Sequence, residues 1–211
     1  MIKVGRCGAG FDAFANCGSI PVLRFPRPDC QGGCGSSNGT NPGRTHRFYT
    51  GKAVVPFGFG LSYTTFTYTP QASAARVSLA PVTAMLAQTY KEGRTFPSSK
   101  LVGEAAPLAD YMVEVKNTGD MDADDVVLGF LVPPGAGENG VPLQTLFGFE
   151  RVHVKAGESV LVNLYPALTD FTHTTLDGTK VALAGDWTVK FGVQETAKHG
   201  QGYAEAKLTT Y

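Results

Sequence analysis

The sequence has 211 residues and a mass of 22.3 kDa, and its 18 Lys and Arg residues balance its 18 Asp and Glu residues. That balance argues against a nucleic-acid-binding domain, because such domains are strongly basic. Charged residues make up 17% of the chain and hydrophobic residues 43%, so the chain can fill a core and is unlike a disordered charged tail. No apolar run approaches the roughly 20 residues of a membrane helix, so we expect neither a nucleic acid nor a membrane as partner.

The first part of the chain differs from the rest. Residues 1–70 carry seven basic and two acidic side chains, whereas the remainder carries eleven basic and sixteen acidic ones. Lys3 and Arg6 are not followed by the apolar stretch of about 7–15 residues that a secretory signal needs, so we expect no signal peptide here. The division we expect is a loop-rich segment over 1–40, a linking segment over 41–70 and a folded domain over 71–211.

All four cysteines lie in the first segment, at Cys7, Cys17, Cys30 and Cys34. Zinc sites usually use two short Cys or Cys/His pairs, and only the last two cysteines form a short pair. The alternatives are two disulfides, for which three pairings exist, or a poorly ordered appendage. Asn38 begins an Asn-Gly-Thr glycosylation sequon, which matters only in a secreted protein.

Short β segments dominate the rest of the chain. In chain order we predict strands at 63–68, 76–80, 108–116, 125–132, 143–154, 158–165, 180–184, 186–193 and 203–211, with a strand or loop at 169–175 and one helical turn near 82–88. Turn signals such as Asp177-Gly178 separate these segments. Many short strands at close spacing predict an all-β fold, an antiparallel β-sandwich of the immunoglobulin/fibronectin type III-like class with an extended, loop-rich N-terminal segment.

Alternating apolar residues predict which side chains fill the core, because residues two apart share one face of a strand. Three such sets stand out, and at least two of them should point into one core between two sheets. The sets are Val126, Leu128 and Phe130; Val160, Val162 and Leu164; and Trp187, Val189 and Phe191.

The sequence gives only weak indications of a metal-binding or catalytic site. Asp120, Asp122 and Asp124 suggest a calcium loop, but an EF-hand requires Gly and Glu at positions held here by Asp125 and Leu131. A solvated hairpin tip is the better interpretation of these aspartates, and we predict no metal.

The histidines and the single candidate serine do not form a site either. The four histidines, at 46, 153, 173 and 199, are scattered, and we expect His153 to point to solvent or to a polar neighbour. Ser62 lacks the second glycine of a nucleophile elbow, since Thr64 stands in its place. We therefore predict no catalytic residue and no cofactor in this chain.

Two long motifs resemble a known family. The stretch Asn41-Pro-Gly-Arg-Thr-His-Arg-Phe-Tyr-Thr-Gly51, followed by Val55-Pro-Phe-Gly-Phe-Gly-Leu-Ser-Tyr-Thr-Thr-Phe66, resembles a region near the C-terminus of glycoside hydrolase family 3 enzymes, and most closely their β-xylosidase branch. Segments 115–119, 142–152, 156–158, 185–187 and 191–193 resemble the fibronectin type III-like domain that ends those enzymes. Two residues depart from the motif: the position of His46 is usually Tyr, and the position of Phe59 is usually Tyr or His.

The resemblance implies a non-catalytic accessory domain of a larger enzyme. The parent would be a retaining β-xylosidase or β-glucosidase active in xylan breakdown, secreted, with its two catalytic carboxylates on preceding domains. Neither carboxylate motif of the family is present in these residues. The partners would be those catalytic domains in cis, and the aromatic stretch 57–63 would dock onto them or pack back on the sandwich.

Two alternatives remain open from the sequence. One is a free-standing sandwich that binds carbohydrate, such as a polysaccharide, or protein through exposed aromatic side chains; Tyr111, Tyr165 and Phe171 are candidates, although core packing explains them as well. The other is a Cys-rich zinc module fused to a sandwich.

Overall fold

The computed structural model describes residues 43–72, 74–98, 107–175, 177–193 and 202–211. The four cysteines, Asn38 and His199 lie outside these residues. The strands are β1 (Phe66–Ala72), β2 (Arg76–Val77), β3 (Tyr111–Asn117), β4 (Ala123–Val132), β5 (Thr145–Val154), β6 (Ser159–Leu164), β7 (Thr172–Thr174), β8 (Lys180–Ala182), β9 (Gly185–Phe191) and β10 (Ala204–Thr210). The helices are α1 (Thr45–Phe48), α2 (Ala80–Lys91) and a 3-10 turn at Leu168–Phe171.

Two facing sheets make the chain an all-β sandwich, as predicted. One sheet has the strand order β1-β3-β6 and the other β2-β10-β9-β4-β5, while β7 and β8 form a separate hairpin. Every pairing is antiparallel except that of β2 with β10, which is parallel. β1 crosses the expected boundary at residue 70, because all seven of its residues pair with β3.

The core between the sheets is built from alternating residues. Tyr111, Val113 and Val115 on β3 are fully buried, and Trp187, Val189 and Phe191 face them from the other sheet with 2% exposure or less. Val162 and Leu164 on β6 are buried in the same cluster, and Val160 packs against it. Two of the three predicted sets therefore share one core, which confirms that prediction.

The third set shares one face of its strand, as predicted, but that face points away from this core. On β4 the core-facing residues are Val127 and Leu131, so Val126, Leu128 and Phe130 lie on the outer face of the five-stranded sheet. Val126 is 40% exposed there, yet Leu128 and Phe130 are buried. The period of two was correct, but β4 is apolar on both faces and the alternation alone does not say which face points inward.

Helix α2 is longer than the single turn that we expected. It spans 12 residues, with Pro81 in its first turn, where a missing N–H costs nothing. Val82, Met85, Leu86 and Thr89 form its buried stripe against the core, at the spacing of a helical face. Tertiary packing of that stripe stabilises a helix too short to be stable alone.

Candidate functional surface

Residues 43–65, which we call the covering segment, run over the outer face of the five-stranded sheet. Near their start, the backbone N–H of Leu143 donates a 2.6 Å hydrogen bond to the carbonyl of Arg47. Near their end, the segment joins β1 directly. Both ends of the covering segment are thus attached to the sandwich.

A row of aromatic rings fixes the middle of the covering segment. The imidazole of His46 stacks on Phe57 with ring centroids 4.2 Å apart, and both rings meet Phe130 edge-on at 5.8 and 6.1 Å. Tyr203 closes the row on the other side of Phe130 at 5.8 Å. Offset and edge-on pairs of this kind add about 0.5–1.5 kcal/mol each beyond the area they bury. Phe130 is therefore covered by the covering segment together with Tyr203, and not by the facing sheet.

Gly58 allows the covering segment to approach β4 closely. Its φ of +82° lies in the left-handed region that side-chain-bearing residues rarely adopt, and a Cβ built there would clash with Cδ1 of Leu128. The positive φ is the main reason for glycine at this position, because the Leu128 methyl group is the far end of a flexible side chain and can shift.

The far end of the covering segment is held by a buried asparagine. Asn117 Oδ1 accepts hydrogen bonds from Thr64 Oγ1 at 2.7 Å and from the Gly119 N–H at 3.1 Å. Its amide nitrogen donates to the carbonyls of Met121 and Val154. Asn117 is fully buried, and these four bonds satisfy its side chain.

The same segment exposes apolar side chains on its other side. Val54 is 99% exposed, Leu61 85% and Tyr63 90%, and Val55 is largely exposed as well. Exposed apolar side chains close together in the sequence make this side of the segment a candidate interaction surface. The sequence left open whether the aromatic stretch packs back or seeks a partner; His46, Phe57 and Gly58 pack back, whereas Leu61 and Tyr63 do not.

Electrostatics set the protonation of the residues around this surface. Burial lowers the pKa of His46, with Arg47 lowering it further, and His46 Nε2 finds no hydrogen-bond partner among the described residues. His46 is thus held neutral at pH 7. Inside the sandwich, Tyr68 donates a 2.8 Å hydrogen bond to Asp125, and burial raises the pKa of both groups.

The predicted hairpin tip around these aspartates is wrong, because the chain passes here from β3 in one sheet to β4 in the other and Asp124 lies within β4. Asp122 and Asp124 have structural partners. Asp122 accepts a hydrogen bond from the backbone of Ala156, and Asp124 pairs with Arg151 and His153, each at 2.7 Å. These hydrogen bonds lower the pKa of Asp124. His153 faces a polar neighbour, as predicted. Within the described residues, no three His, Cys, Asp or Glu side chains gather in a way that could hold a metal ion.

The three aromatic candidates for a binding face do not come together. Tyr111 and Phe171 are fully buried in the core, where they contact Phe191 and Trp187. Tyr165 alone of these three is exposed.

Leu128 and Phe130, which receive the covering segment on the outer face of β4, were not predicted from the sequence. The apolar residues on both faces of β4 were the signal that could have identified them.

Among the helices that the structure describes, none has the length and apolar character needed to cross a membrane.

Comparison with known proteins assigns the chain to a family. It is 34% identical over 205 residues to the probable exo-1,4-beta-xylosidase bxlB of Aspergillus clavatus, a match covering 93% of this chain and 24% of the relative. It is 38% identical over 136 residues to Beta-D-xylosidase 1 of Arabidopsis thaliana, covering 61% of this chain and 17% of that relative. No family model matches the chain.

A solved structure has the same fold. The β-glucosidase EmGH1 of Erythrobacter marinus superimposes with a TM-score of 0.55 and 25% sequence identity, over 80% of this chain and 18% of that protein. The chain spans about a quarter of the length of the Aspergillus relative. It belongs to glycoside hydrolase family 3, as a partial, C-terminal region of an enzyme whose relatives are exo-1,4-beta-xylosidases.

Proposed function

We propose that this chain is a non-catalytic accessory region of a family 3 β-xylosidase-like enzyme, and that its covering segment docks the sandwich against the catalytic domains in cis. The observation that carries the proposal is the two-sided covering segment. Phe57 anchors it on the sandwich, while Leu61 and Tyr63 present apolar side chains to solvent. An accessory region joined to larger domains needs such a surface, and isolated it would leave that surface uncovered.

We also propose a domain division. It assigns residues 43–65 to the docking segment and residues 66–211 to a fibronectin type III-like sandwich, and the start of pairing with β3 at Phe66 supports it. Residues 1–40, the expected loop-rich segment, lie outside the described residues. The parent enzyme would be extracellular and would hydrolyse β-xylosides with retention.

The catalytic role lies outside this chain in our proposal. Retaining glycosidases need two carboxyl groups about 5–5.5 Å apart across a sugar pocket. The family resemblance carries neither of these residues onto a position in this sequence, so both would come from the preceding domains.

An activity assay tests the catalytic part of the proposal. The purified chain should not hydrolyse aryl β-xylosides or aryl β-glucosides above a buffer control. Turnover that persists in a homogeneous preparation and disappears when a carboxylate of this chain is replaced by its amide would contradict the proposal. A carboxylate variant that leaves residual turnover unchanged would identify the turnover as contamination.

A further inference from the structure

A cavity of about 320 Å³ lies beside the covering segment, at the end of the sandwich where the β7–β8 hairpin meets β9. Its wall combines α1, the loop after β4, the 3-10 turn and the hairpin. Ligand pockets in proteins span about 300–1,000 Å³, so this one has the size for a single sugar ring.

Two cations and one carboxylate line this cavity. Arg47 approaches it from the covering segment, Lys180 from β8 and Asp170 from the 3-10 turn. Arg47 and Lys180 repel each other: burial and the charge of Arg47 lower the pKa of Lys180, and Asp170 offsets this only in part. His173 also lines the cavity, and burial together with Lys180 lowers its pKa, so it stands as a neutral imidazole. The cavity therefore carries a net positive charge.

The fold anchors the backbone of both cationic residues and the carboxylate of Asp170, and the Lys180 ammonium donates a 3.3 Å hydrogen bond to Thr174 Oγ1. Tyr90 from α2 accepts a hydrogen bond from the Lys180 backbone N–H at 2.8 Å and donates one to the Lys180 carbonyl at 2.6 Å. Asp170 accepts a 2.8 Å bond from the Ala167 N–H. The Arg47 carbonyl is bonded to Leu143, as described above. A pocket whose charged residues are anchored in this way is preorganised for a ligand.

The remaining lining suits a polyhydroxylated ring. Four threonines contribute side chains to the wall: Thr145, Thr169, Thr172 and Thr174. Pro133 and Pro142 supply apolar surface, whereas Trp187 is 2% exposed and contributes little. Hydroxyl groups beside apolar surface match a pyranose, which has polar edges and apolar C–H faces.

We infer that this cavity binds an acidic saccharide of the hexuronic-acid type, with its carboxylate between Arg47 and Lys180 and its hydroxyl groups against the threonines. An anion at that position relieves the repulsion between the two cations, and hydrogen bonds between charged partners are about twice as strong as neutral ones. The cavity lies between the covering segment and the sandwich of this chain, and the inference does not depend on docking to catalytic domains.

The single tryptophan of the sequence provides the readout, because Trp187 lines the cavity. The full 211-residue chain is titrated at pH 7 and low salt with D-glucuronate, D-xylose and acetate, while the indole N–H resonance of Trp187 is followed by NMR. We expect saturable shifts with glucuronate, binding at least about tenfold weaker for both xylose and acetate, and weaker glucuronate binding at higher salt. Equal affinity for glucuronate and acetate, equal affinity for glucuronate and xylose, or no saturable shift would each overturn the inference.

Matched variants locate the ligand. Lys180→Gln and Arg47→Gln remove a charge but keep much of the side-chain stem, and each should weaken glucuronate binding about tenfold, which corresponds to about 1.4 kcal/mol. Lys155→Gln, at an exposed turn outside the cavity, should bind as the unchanged chain does. Asp170→Asn removes the opposing carboxylate and should tighten binding. Melting curves show which variants remain folded. Unchanged affinity in both folded cation variants, or weaker binding in a folded Asp170→Asn variant, would overturn the inference.

Discussion

The imidazole of His46 stacks on the ring of Phe57, and this contact joins the two halves of the covering segment over β4. The family motif usually places Tyr at this position, so the flat ring is kept while a titratable group is introduced. Because Nε2 of His46 is buried and finds no partner among the described residues, protonation there would bring an uncompensated charge into a ring stack.

Stability of the covering segment should therefore depend on pH. The pKa of His46 in the folded chain lies below its unfolded value near 6.5, so the unfolded state binds more protons between these two values, and stability falls as the pH drops through that window. His46→Phe keeps the ring and removes the titration. We expect the free energy of unfolding, measured with urea, to differ less between pH 7 and pH 5 in this variant than in the unchanged chain.

His173→Gln is the matched control, because His173 also has a lowered pKa but does not take part in the stack. This variant should therefore retain the part of the pH dependence that comes from His46. An identical pH dependence in His46→Phe and the unchanged chain would contradict the assignment.

Phe130 should be as important for stability as a residue between the sheets. Phe130→Ala and Trp187→Ala each remove a buried aromatic side chain, which typically costs about 3–5 kcal/mol. Phe57→Ala should cost about 1–2 kcal/mol, since Phe57 is 46% exposed and only part of its ring is buried. Val126→Ala, on the same face as Phe130 but 40% exposed, should cost less than about 1 kcal/mol. Chemical unfolding followed by far-UV circular dichroism measures all four variants. If Phe130→Ala were as mild as Val126→Ala, the covering segment would not bury β4 in solution.

Asn117 should be the polar residue whose loss is most costly. Asn117→Ala leaves the Val154 carbonyl and the Gly119 N–H without their partner, along with Thr64 Oγ1. Buried groups that lose a hydrogen bond cost about 1–3 kcal/mol, so we expect a loss in the upper part of that range. Asn163→Ala is the control, because Asn163 lies on β6 with an exposed side chain and should change stability by less than about 0.5 kcal/mol. A similar loss in both variants would show that the network around Asn117 does not stabilise the fold.

Removal of residues 1–37 should leave the sandwich intact. The reason lies in the sequence, in which no strand pattern begins before about Arg47. The melting temperature of the shortened chain should stay within a few degrees of that of the full chain. A large decrease, or stoichiometric zinc in the full chain, would show that the cysteine segment contributes to the fold.

Alternation in the sequence predicted the strands whose two faces have different environments. Val162 and Leu164 alternate with exposed residues on β6, and Trp187, Val189 and Phe191 alternate with polar ones on β9, so the inward face was evident. β4 has apolar residues on both faces, since one face meets the facing sheet and the other meets the covering segment. The long-range packing of residues 46–58 determines which face of β4 points into the core and which lies under the covering segment.

The length of α2 and the cavity were also beyond sequence reasoning. The residues of α2 have mixed propensities, and its 12-residue length depends on packing of Val82, Met85 and Leu86 against the core. Arg47 and Lys180 are more than 130 positions apart, and only the path of the covering segment and the β7–β8 hairpin brings them to one cavity. By contrast, the two glycine-rich family motifs were sufficient to predict the family.

Docking of the exposed face of the covering segment onto the catalytic domains can be tested with two serine substitutions, each measured in the isolated chain and in a full-length chimera. In the isolated chain, Leu61→Ser and Tyr63→Ser should raise solubility without lowering stability, because both side chains are solvent-exposed. In a chimera, residues 43–211 replace the matching region of the Aspergillus clavatus relative, and β-xylosidase activity and soluble yield are measured. We expect the unchanged chimera to be active and both serine variants to lower its yield and activity. Equal activity and yield in the serine variants and the unchanged chimera would contradict it.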